Sequence, residues 1–369
     1  MGAASRSSGH LVLYELARPL LFSLDPEAAH ELTLATLQRT WGLSLARWFA
    51  PRVDPLPVHV MGLSFSNPVG LAAGLDKTGA HVDALGRLGF GFIEAGTVTP
   101  RPQPGNPKPR MFRLVAARAI INRMGFNNPG VDRFASNVRQ QQSFRERGGI
   151  VGLNIGKNAD TPIDNALDDY RTCLRRVYAD ADYVSINVSS PNTKDLRSLQ
   201  SARQLAALLA GLTDERKRLE DQHSRRVPLA VKIAPDLPDE SVPEVADALV
   251  EHGIDAVIAT NTTVAREMLG DQKYAKEAGG LSGAPLTVRS TEIIHALSNH
   301  LKGALPIIGV GGIMSASDAL EKIEAGAALV QLYTGLIYSG PKLIGDCVNA
   351  IRHSRCAAFS PPGPTQQRV

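Results

Sequence analysis

The segment "DYVSINVSSPNT", residues 182–193, begins as an apolar run and ends in Asn187, Ser189, Ser190, Asn192 and Thr193. A serine becomes reactive when a base stands beside it, and histidine is the usual one. The nine histidines of the chain all lie away from the ends of such apolar runs, which argues against a Ser-His-Asp triad and against a histidine metal site. No metal is expected. The other apolar runs end in the same polar way: Lys77 follows "AAGLD", then come Thr97, Asn154, Lys232, Thr260 with Asn261, Gly311 with Gly312, and Tyr333 with Thr334. Each has a plain alternative, since Asn caps helices, Thr suits strands and Gly makes turns. Collected, they describe an amide-rich site with two lysines, suited to an anionic ligand that itself carries amide groups. Lys232, inside "AVKIAPD", needs an anionic partner to offset its desolvation, or else serves as a Schiff-base amine. "GVGGI" and "LYTG" present the backbone N–H groups that bind phosphate.

These residues need elements to hold them. Eight apolar runs, at 69–74, 91–97, 150–156, 183–189, 229–234, 256–261, 306–312 and 329–334, alternate with segments of helical periodicity such as "ESVPEVADALVEHG". Runs this apolar read as parallel strands buried on both faces. Eight of them predict an α/β fold, a (β/α)8 TIM barrel with its chemistry at the carboxyl ends of the strands; a doubly wound open sheet is the alternative. The intervals 98–149 and 262–283 are too long for bare helices and are expected to cover the barrel mouth. Residues 1–55 differ, with Leu11, Leu13, Leu16, Leu20, Leu21, Leu32, Leu34, Leu37, Trp41 and Trp48 forming two apolar stripes around "SLDPEAAHE", where Ser23 or Asp25 can cap the second helix. Such a helix pair can close the barrel bottom or lie on a membrane surface.

Composition narrows the class. With 43% hydrophobic and 21% charged residues the chain is globular, and its net charge of +4 is scattered rather than striped, so no nucleic-acid partner is expected. Cys173, Cys347 and Cys356 form neither a disulfide framework nor a CxxC pair. No run reaches the roughly 18 apolar residues that span a bilayer, and "MGAASRSSGH" has neither a signal-peptide core nor, with Arg6, the myristoylation pattern.

The motifs "GLAAGLDK", "GTVTPRPQPGNPKPR", "INRMGFNN", "NIGKN", "INVSSPNT", "VKIAPDL", "ATNTT", "GGLSG" and "GVGGI", in this order between about Ala17 and Ile351, resemble those of the dihydroorotate dehydrogenases, in the membrane-associated class that uses quinone. The resemblance implies FMN, held by Ala73, Gly74, Leu75, Asp76, Lys77, Thr97, Asn154, Asn187, Lys232, Thr260, Gly283, Gly312, Tyr333 and Thr334. It places the pyrimidine of dihydroorotate or orotate on Lys77, Asn122, Arg123, Met124, Gly125, Phe126, Asn187, Asn192, Asn261 and Thr262. Ser190 matches the catalytic base, where water-soluble relatives have cysteine; Thr193 would hold a relay water, and Lys232 would offset negative charge on the flavin. The resemblance further implies a membrane quinone as acceptor, reached through the N-terminal extension, and a monomer on the cytoplasmic face of a bacterial inner membrane. The expected division is a membrane and quinone-access region at 1–55, an FMN-binding catalytic barrel at 56–355 and a disordered tail at 356–369. Two rivals stay open: a phosphate-binding barrel lyase with a Schiff-base Lys232, and a non-catalytic flavin-binding membrane protein.

Overall fold

A computed structural model describes residues 8–40 and 53–358. Eight parallel strands close into a barrel in chain order: β1 (Val69–Leu71), β2 (Phe92–Val98), β3 (Ile150–Ile155), β4 (Tyr183–Asn187), β5 (Leu229–Ile233), β6 (Ala256–Ala259), β7 (Ile307–Val310) and β8 (Ala327–Leu332). The last strand pairs with the first, Val330 opposite Val69, so the sheet has no free edge. Every residue of β2, β4 and β5 is buried, which is why these strands read as continuous apolar runs rather than alternating ones. The fold is thus the expected TIM barrel.

The inward side chains form layers. At the amino ends of the strands, Phe92 and Tyr183 pack with Ala230, Ala256 and Ile308, and Phe65 meets the Phe92 ring edge-on at 5.2 Å. Small residues face large ones here: a Cβ on Gly152 would lie 2.1 Å from the Tyr183 ring. The antiparallel ribbon Val58–Val60/Leu63–Phe65 brings Phe65 to this plug and closes the bottom. The next layer up is polar. Glu94 accepts hydrogen bonds from Asn154 Nδ2 (2.8 Å), Tyr183 OH (3.0 Å) and Gln331 Nε2 (2.9 Å), and Asn154 also donates to Ser185 Oγ.

The two long intervals meet over the mouth. Met111–Leu114 and Ala119–Asn122 form a hairpin, and Gly280–Gly283 adds to it as a third antiparallel strand. Two helices precede the barrel, α1 (Ser8–Ser23) and α2 (Pro26–Thr40), and Asp25 caps α2 by accepting from the N–H groups of Glu27 and Ala28, both at 3.0 Å.

These helices sit at the mouth, not at the bottom. Arg18 donates to the Tyr338 carbonyl (2.8 Å), Tyr14 to that of Ile337, and the Phe22 ring meets Tyr338 edge-on at 5.3 Å. Glu27 of α2 pairs with Arg110 at the start of the hairpin. The bottom-cap reading therefore fails, because the ribbon at 58–65 already fills that end. Leu16 and Leu20, one turn apart on α1, are each 69% exposed, and Leu32 on α2 is 51% exposed. Among the described residues no helix is long and apolar enough to cross a membrane. Trp41, Trp48 and the tail 359–369 lie outside the described residues; the last helix runs Lys342–Ala358.

Candidate active site

Where the polar layer opens upward, the strand ends and the cover line a cavity with about 960 Å³ of space free of protein atoms, counted out to its open side. Twenty of the residues singled out from the sequence line it: Ala73, Gly74, Lys77, Thr97, Asn122, Met124, Gly125, Phe126, Asn187, Ser190, Asn192, Lys232, Thr260, Asn261, Thr262, Gly283, Gly311, Gly312, Tyr333 and Thr334. All eight strands or the segments after them contribute, apart from β3, whose Asn154 is buried one step below.

The amides form one connected set. Asn187 Nδ2 donates to Thr97 Oγ1 (2.9 Å), and its Oδ1 accepts from Ser189 N–H and from Asn261 Nδ2, each at 3.3 Å. Asn261 Nδ2 also donates to Ser189 Oγ (2.9 Å), and Thr97 Oγ1 donates to Asn154 Oδ1. Tyr170, buried behind β4, holds the Asn187 carbonyl at 2.7 Å. Across the cavity Asn192 Nδ2 donates to the Asn122 carbonyl at 3.1 Å, joining the β4 loop to the cover. The side-chain orientations are therefore set by the protein itself before any ligand binds.

Ser190 is 6% exposed and its Oγ accepts from the Asn192 N–H at 3.2 Å. Thr193 does not line the cavity; its Oγ1 is buried and has no hydrogen-bond partner among the described residues. Lys232 is 5% exposed, forms no ion pair among the described residues, and burial pushes its ammonium below the usual lysine range against the pull of Glu94. Lys77 donates to the Gly74 carbonyl, and burial brings its pKa down to about 8.

The turn after β7, Gly311–Gly312–Ile313, and the segment Tyr333–Thr334–Gly335 after β8 form the far wall. A Cβ on Gly312 would lie 2.3 Å from Thr287 Cα, so only glycine lets the backbone come this close.

Leu75, Asp76, Asn154 and Arg123 stand outside the cavity wall. Asp76 accepts from the N–H groups of Thr78, Gly79 and His81 and shapes the turn that carries Lys77. Asn154 orients Thr97. Arg123 points outward to Glu277 (2.6 Å) and stacks over Phe112. Conversely, Ala72, Ser282, Leu286, Val310, Ile313 and Gln331 line the cavity without having been singled out, and Glu94 beneath it was missed too. The available signal for Glu94 was a carboxylate inside the apolar run "GFIEAGT", which must be paired to be tolerated there.

A flavin mononucleotide suits this donor set. The glycine-rich turn accepts a close anion, and among the described residues Lys232 offers a buried cation without an ion pair and Gln331 Oε1 is buried with no partner.

The family model described as dihydroorotate dehydrogenase matches residues 55–354. The chain is 61% identical over 339 residues to the dihydroorotate dehydrogenase (quinone) of Ralstonia nicotianae, covering 92% of this chain and 98% of that one. Its identity to the protein of the same name from Herminiimonas arsenicoxydans is 60% over 342 residues, with 92% and 98% covered. Among solved structures, that of DHODH in complex with ferulenol from Eimeria tenella superposes with a TM-score of 0.82 at 40% identity, over 90% of this chain and 92% of that one.

Proposed function

The chain belongs to the dihydroorotate dehydrogenase family, and we propose that its mouth cavity is where dihydroorotate is oxidised to orotate, a step of pyrimidine biosynthesis, with a quinone as final acceptor. The family is flavin-dependent, and FMN is the flavin this site favours. The reading rests on one observation: Ser190, the amides of Asn187, Asn192 and Asn261, Lys232 and the Gly311–Gly312 turn all line one cavity.

Bound FMN would supply the acceptor for the hydride that leaves C6 of the substrate. Gly312 and Ile313 would hold its phosphate with backbone N–H groups, Thr334 and Gly283 would flank it, and Thr97, Thr260 and Lys232 would face its ring. Everything else is done by the chain's own groups. Ser190 takes the proton from C5. A free hydroxyl is a weak base at neutral pH, so its proton must move on as the new one arrives. The unpartnered, buried Oγ1 of Thr193, three residues along the same loop, supports a relay through an ordered water there. Asn122, Asn187, Asn192 and Asn261 match the alternating donors and acceptors of the pyrimidine ring, and Lys77 meets its carboxylate. The Lys232 cation lowers the energy of negative charge developing in the cavity.

Exposed Leu16, Leu20 and Leu32 on helices that border the mouth support membrane attachment through α1 and α2; that the protein acts as a monomer on the cytoplasmic face follows from the family resemblance alone.

The test is direct. Purified protein should be yellow, release FMN on denaturation and be bleached anaerobically by dihydroorotate. Colourless protein trapped by borohydride through Lys232 would favour a Schiff-base lyase instead, and yellow protein that dihydroorotate leaves unbleached would make it a flavin binder without this activity.

A further inference from the structure

Behind the Gly311–Gly312 turn stands Lys322, from the helix Ala316–Glu324, fully buried at 0% exposure. Its three donors go to neutral acceptors: Ser290 Oγ at 2.7 Å, Thr291 Oγ1 at 2.9 Å and the Thr287 carbonyl at 3.4 Å. No carboxylate is within ion-pair distance of it among the described residues, and Asp318 and Glu321 attract it only from further away. An ammonium this deep is costly unless an anion lies near.

Two of these three partner residues, Ser290 and Thr287, lead to the turn. Ser290 Oγ lies 2.9 Å from the Gly311 carbonyl, with the Leu286 and Thr287 carbonyls as its other acceptors, and Thr287 Oγ1 meets the Gly312 carbonyl at 2.7 Å and that of Ala284 at 3.0 Å. In a trans peptide the N–H points opposite to the C=O of the same plane. With both glycine carbonyls drawn back toward the helix Thr287–Leu301, the N–H groups of Gly312 and Ile313 must face the cavity, and neither donates to an acceptor among the described residues. The next N–H, of Met314, is already taken by Asp318.

We propose that Lys322 is the positioning residue of the phosphate-binding turn: through the Ser290 hydroxyl and the Thr287 carbonyl it fixes the two residues that hold the Gly311 and Gly312 peptide planes with their N–H groups toward the cavity, and its buried charge complements the phosphate dianion beyond them. This rests on the flavin reading above. It makes Lys322 responsible for the choice of FMN over riboflavin, which has the same ring system and no phosphate, while Lys322 touches neither.

The experiment displaces FMN from the purified holoenzyme with riboflavin and separates the protein-bound flavins by chromatography after denaturation, in wild type and in Lys322→Met. The variant should lower the ratio of FMN to riboflavin affinity by about tenfold or more, with riboflavin affinity nearly unchanged. An unchanged ratio, or an equal loss for both flavins, overturns the proposal, the second showing a packing role only. Should Lys322→Met not fold, Ser290→Ala decides, because it removes the one hydroxyl that joins Lys322 to the Gly311 carbonyl; the ratio should fall by about threefold, and an unchanged ratio overturns the proposal. Wild-type protein that binds FMN no better than riboflavin would remove the phosphate reading itself, and this inference with it.

Discussion

Ser190 Oγ and the backbone N–H of Asn192 are hydrogen-bonded across Pro191, with the serine oxygen as acceptor at 3.2 Å. That contact occupies one lone pair and leaves the hydroxyl proton and a second lone pair to the cavity. Ser190→Ala removes both without disturbing the amide set, so FMN and orotate should still bind. Dihydroorotate-driven bleaching should slow by about 10² to 10⁴, the usual worth of a positioned base. Near-normal bleaching in anaerobic stopped flow would exclude Ser190 from that role.

Lys77 gives the site a pH dependence. Burial brings its pKa down from 10.5 to about 8, while Glu27 and Asp76 pull it upward and Arg110 adds to the fall. Below about 8 the ammonium is present to meet the orotate carboxylate; above it the amine is neutral, and binding must take up a proton. The dissociation constant for orotate should therefore rise as pH passes about 8, by at most about tenfold per unit. Stability of the ligand-free protein moves the other way. A folded pKa below the unfolded one means the unfolded chain binds more protons between 8 and 10.5, so this group makes folding more favourable as pH climbs through that window. Orotate titrations followed by flavin absorbance on either side of pH 8 check the first sign, and Lys77→Met should flatten the profile.

Glu27 and Arg110 form a bidentate pair, Oε1 to Nη2 at 2.7 Å and Oε2 to Nε at 3.1 Å, with both side chains 7% exposed. Burial alone would raise the Glu27 carboxyl, but Arg110 and then Lys108 outweigh it and hold it below the usual range. Glu27→Gln leaves a buried guanidinium whose remaining partners are the Pro104 and Asn106 carbonyls, and should cost roughly 3–5 kcal/mol. Thermal unfolding should show the loss together with earlier proteolysis in α2. The double change Glu27→Gln/Arg110→Met should cost less than the sum of the single ones, and an additive result would show that the pair does not anchor the helix.

The eight strands were readable because burial on both faces leaves an apolar run ending where the mouth begins, as "YVSINVSS" does. The same logic hid Glu94 and Gln331, which lie inside their runs; Glu94 is tolerated there because Asn154, Tyr183 and Gln331 all donate to it. Lys322 occupies an apolar position of its helix pattern, and nothing in "DALEKIEAG" shows that its partners are hydroxyls on the preceding helix. The third strand of the cover, Gly280–Gly283, pairs with Ala119–Asn122 across four intervening barrel strands. Local periodicity carries no trace of such a pairing. It likewise left the end of the barrel taken by α1 and α2 open, since that depends on Arg110 and Tyr338, far along the chain.

The same placement decides what removing the N-terminal region should do. The ribbon at 58–65 closes the bottom by itself, and no residue of α1 or α2 lines the cavity, so protein lacking residues 1–52 should fold, stay yellow and be bleached by dihydroorotate. Some stability will be lost, because Tyr338 loses the Phe22 ring and Arg110 loses Glu27; flavin content must therefore be measured with activity. Turnover with a long-tailed quinone should fall sharply, and liposome binding with it. Leu16 and Leu20 are both 69% exposed in water, and each leucine fully buried in lipid contributes about 1.5–3 kcal/mol, enough for two or three together to hold a peripheral protein. Leu16→Ser/Leu20→Ser in the full chain separates the two effects: it should weaken liposome binding while leaving bleaching and turnover with a short, water-soluble quinone unchanged. Truncated protein that kept its flavin, its long-tailed quinone turnover and its liposome binding would reduce α1 and α2 to a lid on the cover.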